Sequence, residues 1–115
     1  MTKVAPSILS ADFGYLMDQI KKTEEGGADF LHIDVMDGNY VPNITIGVPV
    51  ISCLKGRTKL PFDVHLMIKN AEVLIDDFIE AGADILTVHV EAVTHLQRLL
   101  SSIKDRGVMP AVALN

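Results

Sequence analysis

Two hydrophobic periods alternate along the chain. A period of two, in which apolar residues point to one face and polar residues to the other, predicts strands over residues 4–9, 30–35, 61–66, 85–90 and 109–114. A helical period fills the gaps. Ser10 is placed to cap a first helix carrying Phe13, Leu16, Met17 and Ile20, and Gly26-Gly27 stops it. A short helix is expected over 47–54. Residues 71–81 predict a third helix, with Val73, Leu74, Phe78 and Ile79 on its buried face. Residues 93–106 predict a fourth, with the stripe Leu96, Leu99, Leu100 and Ile103. Residues 37–45 hold Gly38, Pro42 and two asparagines, and so predict a loop long enough to reach over a site.

Strand and helix in strict alternation imply an α/β fold with a parallel sheet covered by helices. A faint repeat supports this. Gly27-Ala28-Asp29 recurs 55 residues later as Gly82-Ala83-Asp84, and Pro6 recurs at the same offset as Pro61. A repeated two-unit βα block points to a (β/α)8 TIM-type barrel, whose eight units need about 250 residues. The 115 residues hold about four and a half units. The expectation is a single partial domain over 1–115, an N-terminal half barrel cut near strand five.

In such a barrel the helix-facing side of each strand is apolar, and functional groups stand inward at the C-terminal strand ends. Leu31, Ile33 and Val35 take the outer face, which sends His32 and Asp34 inward. Val64 and Leu66 do the same for Asp63 and His65. Thr87 and His89 share the inward parity of the next strand, with Glu91 just beyond. Ser7 has that parity if Ile8 faces a helix. His32, Asp34 and His65, two imidazoles and a carboxylate on neighbouring strands, match a zinc-like or iron-like ligand set that wants at least one more ligand. Met36 and Met67 follow inward polar residues by two positions, which places them at a pocket lining rather than in a core.

Each of these residues also has a plainer reading. His89 alone reads as a hydrogen-bonded core histidine. Glu91 reads as a loop carboxylate or as a partner to a ligand. Asp63, deeper than His65, reads equally as an orienting group or a catalytic one. Asp37 can simply start the turn at Gly38, and Cys53 reads as packing.

Composition narrows the function classes. The net charge is −5 and no Lys/Arg cluster exists, which argues against nucleic acid. One cysteine cannot make an internal disulfide, which favours a reducing, cytoplasmic setting. No apolar run reaches the length of a membrane span, and the N-terminus lacks a signal-peptide core, so no membrane partner is expected.

The stretches Ala5-Pro6-Ser7-Ile8-Leu9-Ser10-Ala11-Asp12-Phe13, His32-Ile33-Asp34-Val35-Met36-Asp37-Gly38, Val41-Pro42-Asn43, Asp63-Val64-His65-Leu66-Met67 and Ala113-Leu114-Asn115 together resemble the ribulose-phosphate 3-epimerase family, in order and over essentially the whole chain. The resemblance implies a (β/α)8 barrel that interconverts D-ribulose 5-phosphate and D-xylulose 5-phosphate in the pentose phosphate pathway. It implies one divalent cation, zinc first, with iron, manganese or cobalt also used. His32, Asp34 and His65 then correspond to metal ligands, Asp34 also to one of two catalytic acid/bases, Ser7 and His65 to substrate contacts, and Met36 and Met67 to the methionine group beside the reacting carbon.

The same resemblance places the second catalytic aspartate, which is also the fourth ligand, outside these 115 residues, together with the amides that bind the sugar phosphate. The chain alone is therefore expected to be inactive. A half barrel with open sheet edges is expected to form a homo-oligomer. The alternatives are a hexulose-phosphate epimerase acting on allulose 6-phosphate, and a non-catalytic half barrel that folds only by oligomerisation.

Overall fold

The computed structural model describes residues 1–115, and its strands are β1 (Leu31–Met36), β2 (Phe62–Met67), β3 (Ala83–His89) and β4 (Met109–Ala113). All neighbours are parallel, in the order β1-β2-β3-β4. The helices α1 (Leu16–Glu25), α2 (Val48–Leu54), α3 (Ile75–Ala81) and α4 (Leu96–Asp105) alternate with the strands. The chain is thus an α/β partial (β/α) barrel unit, as the alternation predicts.

One face of the sheet makes the core. Leu31, Ile33, Val35, Val64, Leu66, Leu86 and Val88 are buried against Ile20 of α1, Ile51 and Leu54 of α2, Ile75 and Phe78 of α3, and Leu99 and Ile103 of α4. Each such side chain contributes roughly 1.5–3 kcal/mol by leaving water. The other face of β1 and β2 carries His32, Asp34, Met36, Asp63, His65 and Met67, all half-buried.

β3 keeps this division only through a bulge. Phe62 pairs with Ala83, but Asp63 pairs with Ile85, so Asp84 is an extra residue in the ladder. A one-residue slip flips every later side chain to the opposite face. Here it sends Leu86 and Val88 into the core and Thr87 and His89 to the polar face. The displaced Asp84 accepts the Phe62 N–H at 2.8 Å, while Asp29, its counterpart in the 55-residue repeat, accepts the Val4 N–H at 2.7 Å. In both copies the aspartate ties down the segment that precedes its strand.

Four sequence expectations need correction. The strand over 4–9 shrinks to one bridging residue, Ser7, paired with His32. Pro6 has no N–H to offer a ladder, and its carbonyl takes the His32 N–H at 2.9 Å. The Ser7 Oγ then accepts the Leu9 N–H and turns the chain into a 3-10 turn, Ile8–Ser10. Ser10 is accordingly no helix cap; Asp12 caps the turn Phe13–Tyr15 that leads into α1. Residues 71–81 are not one helix, because Asn70 is left-handed and a 3-10 turn, Ala71–Val73, precedes α3. That shift leaves Val73 and Leu74 exposed and turns Ala71, Ile75, Phe78 and Ala81 inward. Cys53 is exposed rather than packed.

Candidate metal centre

Register assembles the polar cluster. Opposite Asp34 of β1 stands His65 of β2, opposite His32 stands Asp63, and Ser7 bridges to His32 from the other side. His32 Nε2 lies 3.1 Å from Asp34 Oδ1, and His65 Nδ1 lies 3.3 Å from the same oxygen. The Ser7 hydroxyl donates to the other Asp34 oxygen at 2.5 Å. The ligand atoms of His32, Asp34 and His65 all fall within 4.8 Å of one another.

The nitrogens facing away from Asp34 are held as well. His32 Nδ1 is 2.8 Å from Asp63 Oδ2, and His65 Nε2 is 2.7 Å from His89 Nε2. The rings of His65 and His89 stack with centroids 4.8 Å apart. Asp63 is therefore placed to orient His32. Two imidazoles and a carboxylate converging on one point, with the outer ring nitrogens fastened, fit a divalent cation.

The electrostatics differ between the two imidazoles. Burial opposes charge on His32, but its hydrogen bond to Asp63 and the fields of Asp34 and Asp63 outweigh it and hold its pKa above the usual histidine value. Burial also opposes charge on His65, and there the neighbouring His89 adds to it. Asp34 pulls the other way but does not prevail, so the His65 pKa is lowered. His65 is thus the imidazole more readily kept neutral for coordination.

Met36 and Met67 are register partners on the same sheet face. Residues 37–45 do fold back over the strand ends. Asp37 pairs with Ile44 as an antiparallel bridge, and its carboxylate accepts N–H groups of Asn39, Tyr40 and Lys69, each at 2.8 Å. Asp37 is therefore more than a turn starter. Burial alone would raise its pKa, but these backbone bonds hold it below the ordinary carboxylate value.

Two supporting residues have no distinctive sequence signal. The Thr45 hydroxyl donates to the Asp34 carbonyl at 2.7 Å and accepts the Met36 N–H at 3.0 Å. The Tyr40 hydroxyl donates to Glu91 at 3.2 Å, and the Tyr40 ring lies 5.1 Å from that of His89. A threonine in a polar loop and a tyrosine after Asp-Gly look like many others; only the fold shows what they touch.

Comparisons with known proteins identify the family. Residues 3–115 match the model of the "Ribulose-phosphate 3 epimerase family". A "Ribulose-phosphate 3-epimerase" of Bacillus subtilis (strain 168) is 56% identical over 115 residues, covering 100% of this chain and 53% of that protein. The protein of the same name from Methanocaldococcus jannaschii is 48% identical over 115 residues, covering 100% of this chain and 48% of its own length. A "Ribulose-5-phosphate-3-epimerase, chloroplastic" of Arabidopsis thaliana is 52% identical over 114 residues, covering 97% of this chain and 41% of its own. The chain spans about half the length of the curated relatives it matches. With its motifs in order and its fold a partial barrel, the chain belongs to the ribulose-phosphate 3-epimerase family.

Proposed function

We propose that this chain carries the metal-binding and one proton-transfer part of an epimerase that interconverts D-ribulose 5-phosphate and D-xylulose 5-phosphate. The observation that carries the reading is the convergence of His32 Nε2 and His65 Nδ1 on one oxygen of Asp34. Family membership supplies the substrate class.

The reaction inverts a carbon beside a ketone. Its proton must leave, which generates an enediolate, and a proton must return on the opposite face. His32, Asp34 and His65 would hold a divalent cation, which would supply positive charge against the developing oxyanion. Asp34 is the base for one face: a carboxylate 3.1 and 3.3 Å from two imidazoles and 2.5 Å from the Ser7 hydroxyl is fixed in position before the sugar arrives. Ser7 and His65 border the place where sugar hydroxyls would contact the site. Met36 and Met67 bring polarisable bulk that cannot compete for the proton. Zinc is the first choice of metal because the family resemblance implies it; iron, manganese and cobalt are compatible with the same nitrogen and oxygen donors.

A single base suffices to exchange a proton even where inversion needs two groups. The test is therefore deuterium wash-in at C3 of D-ribulose 5-phosphate in D2O, with the zinc-loaded chain. The reading expects incorporation above the metal-only control, abolished in Asp34→Asn. No incorporation would contradict it. The same experiment on D-allulose 6-phosphate decides against the hexulose alternative if the pentulose exchanges faster. Net epimerisation by the 115-residue chain is expected to be negligible, since the family resemblance assigns the second acid/base to none of its residues.

Self-association belongs to the same reading. The outer edge of β4 is unpaired, and Met109, Val112 and Leu114 beside it are exposed. Unprotected edges of this kind pair with other chains. Sedimentation of the purified chain is expected to show a homo-oligomer; a compact monomer at micromolar concentration would contradict it. No helix is long and apolar enough to cross a membrane.

A further inference from the structure

We propose that His89 is a positioning residue for the metal centre: its Nε2 accepts the Nε2–H of His65 and so keeps the His65 proton off Nδ1, the atom left for the cation, with Glu91 holding His89 in the tautomer this requires. The inference rests on the metal-site reading above and goes beyond it, because it concerns residues that are not ligands.

The argument is a count of protons. His65 turns Nδ1 toward Asp34, at 3.3 Å, and Nε2 toward His89, at 2.7 Å. A neutral imidazole carries one proton, and the nitrogen that binds a metal cannot keep it. Coordination through Nδ1 therefore requires His65 to carry its proton on Nε2. Only one proton fits between two nitrogens 2.7 Å apart, so His89 Nε2 must be the bare acceptor. The proton of His89 then sits on its Nδ1.

That atom is the one buried side-chain nitrogen or oxygen in the structure with no hydrogen-bond partner. The facing group is the Glu91 carboxylate, with Oε2 at 3.8 Å. The distance is too long for a hydrogen bond, but the sign of the charge decides between tautomers: a protonated Nδ1 is attracted to it and a bare lone pair is repelled. Glu91 is itself anchored, accepting the Asn115 N–H at 2.8 Å and the Tyr40 hydroxyl at 3.2 Å. The backbone bond from Asn115 is the main reason its pKa lies below the usual value, so it is ionised at neutral pH. Tyr40 and His89 thus both turn a proton toward Glu91, and His65 turns its Nε2 proton toward His89, which links the loop after β1 to the ring of a proposed ligand. The opposite tautomer would put a proton on His65 Nδ1, where the cation must bind, and a bare His89 Nδ1 against a carboxylate.

The test is zinc affinity of the 115-residue chain, measured by competition with a chromophoric chelator, together with the visible spectrum of the cobalt-loaded form. Metal-free circular dichroism establishes that each variant is folded. His89→Leu keeps the burial and removes the acceptor; it should weaken zinc binding roughly 10- to 100-fold, the usual effect of losing such an outer partner, and alter the cobalt bands. His89→Gln offers a carbonyl oxygen where Nε2 stood and should recover most of the affinity and the spectrum. Glu91→Gln, at an exposed position, should weaken binding by a smaller factor, and it carries the test if His89→Leu does not fold. Wild-type affinity and spectrum in both His89→Leu and Glu91→Gln would overturn the inference while leaving the metal site standing. A wild-type chain that binds neither zinc nor cobalt would overturn both.

Discussion

The Ser7 hydroxyl donates to Asp34 Oδ2 at 2.5 Å across 27 residues of sequence, while Asp34 Oδ1 faces the two imidazoles. The two carboxylate oxygens are thus divided, one for a protein donor and one facing the proposed metal site. Ser7→Ala removes a hydrogen bond to a charged acceptor on a half-buried group. It should lower stability by about 1 kcal/mol, read as a shift in the urea midpoint at unchanged slope. It should also loosen zinc binding, since Asp34 can then rotate. Unchanged stability and unchanged affinity would show that the contact does not hold the carboxylate.

Asp63 does for His32 what a carboxylate commonly does behind a metal-bound histidine, at 2.8 Å from Nδ1. Asp63→Asn can still accept a hydrogen bond from Nδ1–H through its carbonyl oxygen, but without the charge. Zinc affinity should fall roughly tenfold, with circular dichroism unchanged. An affinity equal to the wild-type value would reduce Asp63 to a packing role.

The loop after β1 depends on one backbone conformation. Gly38 has φ +71, and a Cβ there would lie 2.8 Å from Ile44 Cγ1. The exposed Ile44 side chain can move aside, but the left-handed backbone cannot be relieved. Gly38→Ala should therefore cost about 1–2 kcal/mol in thermal or urea unfolding. A neutral substitution would mean that the loop adopts another path.

The two histidines proposed as ligands should give the metal-free chain opposing pH dependences. His32 has a raised pKa, so the stability it contributes is full below the unfolded value of about 6.5 and is lost as pH rises through its folded value. His65 has a lowered pKa, so its contribution is full above about 6.5 and is lost as pH falls toward its folded value. Urea midpoints in chelator between pH 5 and 8 check this. His65→Gln should fall less than the wild type on acidification from pH 6.5, and His32→Gln should fall less on going alkaline. Parallel curves for all three proteins would contradict both assignments.

Alternation made the helix-over-sheet layering and the inward set His32, Asp34, Asp63 and His65 legible, because β1 and β2 are regular and parity survives from end to end. The inward side of β3 was legible for a narrower reason: a strand begun at Ile85 starts after the bulge, so its parity is right although the bulge at Asp84 leaves no mark in the hydrophobic pattern. The segment 4–9 misled because its apolar run is real, but Pro6 and the Ser7 hydroxyl divert the backbone. The phase of α3 was hidden by the left-handed Asn70, a conformation that hydrophobic spacing does not encode. The contact of Tyr40 with Glu91 was out of reach for a different reason: the two lie 51 residues apart and meet only once loop and strand end are placed.

The account stands on His32, Asp34 and His65 forming one metal site. Titrating the metal-free chain with cobalt, followed by its visible absorption and checked by metal analysis, tests this most directly. The prediction is one equivalent bound per chain, displaced by zinc and lost in Asp34→Asn and in His65→Ala with the fold retained. No bound metal in the folded wild-type chain, or equal binding in Asp34→Asn, would contradict it.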